Sequence, residues 1–220
     1  TALVTAPTFA EYAAALESAG CAVRRHFLQA EVDFAVTDSI LSSITPEVDM
    51  VFLCQPNNPT GQLTPLPLVE RILHRCEACG ALLVVDECFL DFLPDCDPLT
   101  AKALLDSKNL LILKAFTKLY GMAGVRLGYC LCANTALLEA MQAAGQPWAV
   151  SSLAKAAGLA ALDETAYVAQ VRALIAQQRP RLTAGLRALG LRVLDGRANY
   201  LLFQGPETLG DALRQRGVVL

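Results

Sequence analysis

The stretch "LKAFTKLYGMAGVRLGY", residues 113–129, places Lys118 just past an apolar run and Arg126 eight residues later, in a chain with only five lysines. A solvated face would carry more charge and less Leu, Gly and Tyr. A lysine in apolar surroundings can shed its proton and become a nucleophilic amine, and an arginine can clamp a phosphate with paired N–H donors. Two more polar residues follow apolar runs in the same manner, Asn58 after "DMVFLC" and Asp86 after "ALLVV". An aspartate can hold a heteroaromatic nitrogen protonated, which turns that ring into an electron sink. Phe9, after "ALVTA", adds an aromatic face to the set.

Such residues cooperate only if the fold brings them together, and the pattern of the chain says how. Short apolar strands at 49–54, 81–85 and 109–116 alternate with helical periodicity over 65–79 and a further helical stretch near 98–106. "ALVTA" and "AVRRHFL" read as strands around a helix that Gly20 stops, and "VRLGYCLC" (125–132) reads as another strand. Continuous apolar strands separated by helices predict an α/β three-layer domain with a mostly parallel sheet covered on both faces. In an open parallel sheet, ligands sit outside the carboxyl ends of the strands. Asn58, Asp86, Lys118 and Phe9 all fall at such ends.

After residue 134 the chain turns Ala-rich and helical, and a long helical region runs from "GQPWAVSS" to about 189, with Pro180 expected to kink or break it. The last segment, 190–220, reads as short strands and a helix. The expected organisation is a large domain over 1–150, an interdomain helical region over 151–189 and the start of a small α+β domain over 190–220.

Hydrophobic residues make up 54% of the chain and charged residues 18%, which excludes disorder. A net charge of −3 gives no basic footprint for nucleic acid. The apolar runs are far shorter than the ~20 residues of a membrane-spanning helix, and "TALVTAPTFAEY" lacks the basic start and apolar stretch of a signal peptide. The eight cysteines sit mostly in apolar elements, where a free thiol packs as a small hydrophobe. Cys76 and Cys79 form a C-x-x-C on a predicted helix without a second pair, so no zinc site is expected. A reduced, cytoplasmic protein is the expectation.

"PNNPTG", "VVDECFLDF" and "FTKLYGMAGVRLGY" resemble, in order and separation, the signature blocks of the fold type I pyridoxal-phosphate enzymes, aminotransferase class I/II. "TDSILSSITPEVDMVFLCQPNNPTG", "DECFLDFLP", "QPWAVSSLA" and "GRANYLLF" are more narrowly similar to the threonine-phosphate decarboxylase group, with histidinol-phosphate aminotransferases next. The resemblance implies pyridoxal 5'-phosphate as cofactor. It makes Lys118 the covalent anchor and proton shuttle, Asp86 the partner of the pyridine nitrogen and Asn58 a donor to the ring's phenolic oxygen. Arg126, helped by Thr117, would bind the phosphate, and Phe9 would stack on the ring. Asn199 and Trp148 are the candidate substrate contacts.

The same resemblance implies decarboxylation of threonine O-3-phosphate to aminopropanol phosphate for the cobalamin side chain. Transamination of histidinol phosphate or a similar amino acid is the alternative, and an incompetent fragment the third reading. A homodimer is implied, because this fold type builds its sites at a dimer interface. Two positions depart from the family pattern. Ala115 stands where a hydroxyl usually meets the phosphate, a net loss of about 1–2 kcal/mol, and Phe89 stands where many aminotransferases carry Tyr. The family's glycine-containing phosphate loop and its carboxylate-binding arginine fall outside the 220 residues. Lys114, where the family usually has Arg, is read as structural.

Overall fold

The computed structural model describes residues 1–219. Strands β1 (Ala2–Ala6), β2 (Val23–Phe27), β3 (Met50–Cys54), β4 (Leu82–Asp86) and β5 (Leu110–Ala115) run parallel in one six-stranded sheet of order β2-β1-β3-β4-β5-β6. The sixth, β6 (Gly128–Leu131), is antiparallel to β5. Helices α1 (Ala10–Ser18), α2 (Ile40–Ser43) and α3 (Leu66–Cys79) cover the parallel part.

Alternation along the strands divides their side chains between two faces. Leu3, Val51, Leu53, Leu83 and Val85 pack with α2 and α3 on one face, whereas Val4, Phe52 and Cys54 pack with Tyr12 of α1 on the other. Both faces are covered, which is why the central strands are apolar on both sides and why three layers form. Helix α3 buries Ile72, Leu73 and Cys76 on the sheet and stops at Gly80, whose left-handed φ of 72° lets the following N–H of Ala81 reach back to Cys76 O at 2.8 Å.

The structure departs from the expected pattern in two places. The helical stretch near 98–106 is two short 3₁₀ turns, Asp97–Leu99 and Ala101–Leu104. Thr100 interrupts them in an extended conformation, its hydroxyl accepting from Lys102 N–H and donating to Glu87. The long helical region breaks between α6 (Ser152–Leu162) and α7 (Thr165–Ala188), not at Pro180, which lies inside unbroken α7. Pro180 and Ala176, the residue whose carbonyl loses its helical donor, are both exposed, so water can take the place of the missing N–H.

Short helices α4 (Phe116–Leu119) and α5 (Thr135–Ala144) flank β6. The last segment forms a two-residue antiparallel pair, β7 (Arg192–Val193) with β8 (Phe203–Gln204), and α8 (Leu209–Gln215). Between β7 and β8 the chain docks on the "NNPTG" loop. A Cβ on Gly196 would stand 2.6 Å from Thr60 O and 2.7 Å from Gly61 Cα, so only glycine permits the approach. Arg197 N–H then donates to Gly61 O.

Lys114, on β5, is buried, and its Nζ lies 3.1 Å from Glu87 Oε2 and 2.8 Å from Asp91 Oδ1. Glu87 is wholly buried and also accepts from Thr100 Oγ1 and Ala101 N–H, each at 2.7 Å. Arg172 of α7 donates to Asp91 O at 2.8 and 3.0 Å and ties the long helix to this cluster. Burial opposes the lysine's charge, but the hydrogen bond from Nζ to Asp91 and the charges of Glu87 and Asp91 outweigh it and hold Lys114 above the usual lysine range.

Lys114→Met leaves the Glu87 carboxylate buried without its cation and is expected to cost about 3–5 kcal/mol in denaturant unfolding. A raised folded pKa stabilises fully below the unfolded lysine value of 10.5 and is lost as pH climbs through the folded one. The gap between the two proteins should therefore be full at neutral pH and close only in strong alkali. A gap that ignores alkaline pH would show that the ion cluster is not its cause.

Candidate active site

Parallel pairing brings the carboxyl ends of β1, β3, β4 and β5 to one edge of the sheet. The register places Cys54 beside Asp86 and Asp86 beside Leu113. Because β6 is antiparallel, its amino end arrives at the same edge, with Gly128 opposite Ala115. A Cβ on Gly128 would meet Lys114 O at 2.9 Å, so the backbone there must stay bare. Phe9, Asn58, Asp86, Thr117, Lys118 and Arg126 all line a single cavity of about 350 Å³ at this edge.

Asp86, the last residue of β4, is held at both oxygens. Tyr12 donates its O–H to Oδ2 at 2.6 Å, and Cys88 donates its backbone N–H to Oδ1 at 2.9 Å. Tyr12 is buried on α1, its ring stacked at 5.4 Å on Phe52 and meeting Phe9 edge-on at 5.5 Å. Burial, then the neighbouring Cys54 and Asp86, pushes the phenol far above the usual tyrosine range, so it stays a donor. Burial and Asp86 likewise raise the Cys54 thiol to about 12 and push the Cys88 thiol up.

The two asparagines of "PNNPTG" have different roles. Asn57 is buried and spends its side chain inward, donating to Pro7 O and Thr60 Oγ1 at 3.0 Å each and accepting from Thr8 Oγ1 at 2.8 Å. That network braces the loop, and Asn58 is the one at the cavity wall.

Lys118 sits in the single turn of α4, its Nζ 5.5 Å from the centre of the Phe89 ring. Among the described residues it has no carboxylate within 4.0 Å, in contrast to Lys114 four residues earlier. The amine at the cavity is thus the one left free to react. Arg126 has a left-handed backbone, φ 55° and ψ 55°, and its Nη1 donates to Ala123 O at 3.0 Å. It too lacks a carboxylate among the described residues, which leaves most of its fork for an anion. Ala115 caps α4 with no side-chain hydrogen bond, and Thr117, two residues on, brings a hydroxyl to the cavity wall.

Two sequence candidates lie elsewhere. Trp148 is 94% exposed and outside the cavity. Asn199 lines a separate groove of about 710 Å³ along α7, beside Leu174 and Leu182. That groove is larger but mostly apolar and holds no amine–acid pair, whereas the smaller cavity brings a lysine and an aspartate together. Arg197 pairs with Asp95 at 2.9 and 3.0 Å on the surface.

The sequence reading passed over two residues. Tyr200, beside Asn199, donates its O–H to Asn57 O at 2.9 Å and meets Phe89 edge-on at 5.1 Å. Tyr12 lies three residues after Phe9, the residue that precedes α1, and that close aromatic spacing at a strand exit would have marked it.

The set fits pyridoxal phosphate by its chemistry: an amine without an ion-pair partner, an acid with no cationic partner, an amide, a guanidinium, a threonine hydroxyl in the same cavity, and an apolar wall. The cavity falls within the usual range of a small-molecule site.

A model of the family described as aminotransferase class I and II matches residues 1–220. The chain is 38% identical over 204 residues to the threonine-phosphate decarboxylase of Salmonella typhimurium, covering 92% of this chain and 56% of that protein. It is 33% identical over 223 residues to the histidinol-phosphate aminotransferase of Lactiplantibacillus plantarum, covering 99% and 61%. The crystal structure of the histidinol-phosphate aminotransferase from Clostridium acetobutylicum superposes with a TM-score of 0.92 at 26% identity, over 99% of this chain and 66% of that one. The chain thus spans well under two thirds of the curated relatives it matches.

Because only the thiolate attacks an alkylating reagent, Cys54 and Cys88 should label with iodoacetamide at pH 8 far more slowly than a model thiol. Peptide mass mapping of the labelled chain reads this directly. Fast labelling of both would contradict the desolvated acid edge described above.

Proposed function

The chain belongs to the aminotransferase class I and II family, and we propose that it binds pyridoxal phosphate and serves in decarboxylating threonine O-3-phosphate. The observation that carries this reading is the convergence of Lys118, Asp86, Asn58 and Arg126 on one cavity from four different chain segments. When bound, pyridoxal phosphate supplies an electron sink for the bond that breaks at the amino-bearing carbon.

The chain's own groups would do the rest. Lys118 would hold the cofactor covalently through Nζ and would hold or move a proton at that nitrogen. Asp86, fixed by Tyr12 and the Cys88 N–H, would be the acid that serves the ring nitrogen. Arg126 and Thr117 would take the cofactor phosphate, Asn58 the phenolic oxygen, and Phe9 one face of the ring. Phe89 contributes an apolar surface 5.5 Å from Lys118 and no hydroxyl. In the decarboxylation, the bond to the carboxylate would break to release carbon dioxide, and Lys118 would supply the proton that takes its place on the carbon.

An aminotransferase of the histidinol-phosphate type is the second reading, supported by the 33% identical relative. There Lys118 would instead remove the hydrogen on the amino-bearing carbon and return it elsewhere. Phe89 in place of a tyrosine supports the decarboxylase, whereas identities of 38% to a decarboxylase and up to 39% to histidinol-phosphate aminotransferases do not separate the two. The reading also carries a homodimer and a cytoplasmic location as proposals; no helix among the described residues is long and apolar enough to cross a membrane.

Borohydride treatment after incubation with pyridoxal phosphate should add the cofactor's mass to the peptide holding Lys118, and Lys118→Ala should abolish it. Carboxyl-labelled threonine phosphate should then release labelled carbon dioxide with no 2-oxo acid present. Amino transfer from histidinol phosphate to a 2-oxo acid, with no carbon dioxide, would select the second reading. No cofactor on Lys118 would leave a fragment without function at this site.

A further inference from the structure

We propose that Tyr12 is a positioning residue that acts through Asp86, locking the plane of its carboxylate toward the ring nitrogen of the cofactor; this rests on the pyridoxal phosphate reading above. An aspartate carboxylate turns easily about its last torsion, an sp³–sp² bond with a broad profile. Asp86 has one donor on each oxygen, the Tyr12 O–H on Oδ2 and the Cys88 N–H on Oδ1. Two anchors on opposite oxygens define a plane, whereas one leaves a hinge. The backbone donor is fixed by the chain, so the phenol decides whether the carboxylate is held.

Both donors are neutral. Among the described residues no lysine, arginine or histidine lies within 4.0 Å of Asp86, in contrast to Glu87, whose charge Lys114 takes up at 3.1 Å. The charge of Asp86 is therefore oriented without being cancelled, which is what an acid awaiting a cationic ring N–H requires. Tyr12 is suited to this work: it is 8% exposed, and stacking on Phe52 and contact with Phe9 fix its ring. The Phe9 ring and the acid-holding phenol thus belong to one packed unit at the start of α1.

The test separates an effect through the ring nitrogen from a general loss of structure. Affinities for pyridoxal phosphate, and for its analogue with a carbon–hydrogen unit in place of the ring nitrogen, are measured by equilibrium dialysis on the unmodified chain, Tyr12→Phe, Asp86→Ala and the double variant. Tyr12→Phe should weaken pyridoxal phosphate about tenfold, the factor that ~1.4 kcal/mol sets, and leave the analogue within about twofold. Adding Tyr12→Phe to Asp86→Ala should cost nothing further, since the residue it acts through is gone. If Tyr12→Phe does not fold, Tyr12→Met, which fills the slot without a donor, gives the same ratio. Equal weakening of both ligands, no weakening of either, or a full tenfold loss on top of Asp86→Ala overturns the proposal while the cofactor reading stands. No uptake of pyridoxal phosphate by the unmodified chain overturns both.

Discussion

Parallel strand pairing is the constraint on which everything at this site depends. A strand places its chemistry at its exit, and only strands running the same way have their exits on the same side. Residues separated by more than a hundred positions, from Phe9 to Arg126, become neighbours because β1, β3, β4 and β5 share one direction. The single antiparallel strand serves the same end, since β6 delivers Arg126 through its entrance. The apolar bodies of these strands, covered by α1 on one face and by α2 and α3 on the other, make that edge rigid enough to hold polar groups in register.

At the exit of β4 and β5 the chain sets two acids and two lysines close together and treats them in opposite ways. Glu87 and Lys114 neutralise each other inside the protein, with Asp91 and the Thr100–Ala101 donors completing the cluster. Asp86 and Lys118 stand at the cavity, each without an opposite charge beside it. Neighbours in sequence at the end of a strand point in different directions, and one step along the chain separates an acid buried against a lysine from one that lines the cavity. The buried pair also reaches α7 through Arg172 and Asp91, so the platform under the cavity is continuous with the long helix.

Much of the fold was legible because both of its periodicities are strong: the parallel strands were found within a residue or two, and so was α3 with its glycine stop, whereas the strand expected from 125 starts at Gly128, after a turn that leaves Arg126 left-handed. The misreading at 98–106 came from treating apolar spacing as sufficient, when Thr100 uses its hydroxyl to close a turn and to serve a buried acid far from it in sequence. Pro180 misled for a related reason. The helix continues through Pro180, where water can reach the Ala176 carbonyl that lacks a donor, and the break falls at Asp163 and Glu164. At the site, residues that follow apolar runs could be located from the pattern alone. Tyr12 and Tyr200 could not be recognised in that way, because their work is done through other side chains and loops. Trp148 and Asn199 were singled out through resemblance of short segments, which does not say where a side chain on a loop lies in this chain.

The bare contact between Gly196 and the Thr60–Gly61 backbone has a mechanical meaning. With no side chain to act as a cushion, and with Arg197 and Tyr200 bonded to the same loop, the late segment and the asparagine loop form one stiff body. A pull on residues 196–200 would be transmitted to Asn57, and through its peptide bond to Asn58.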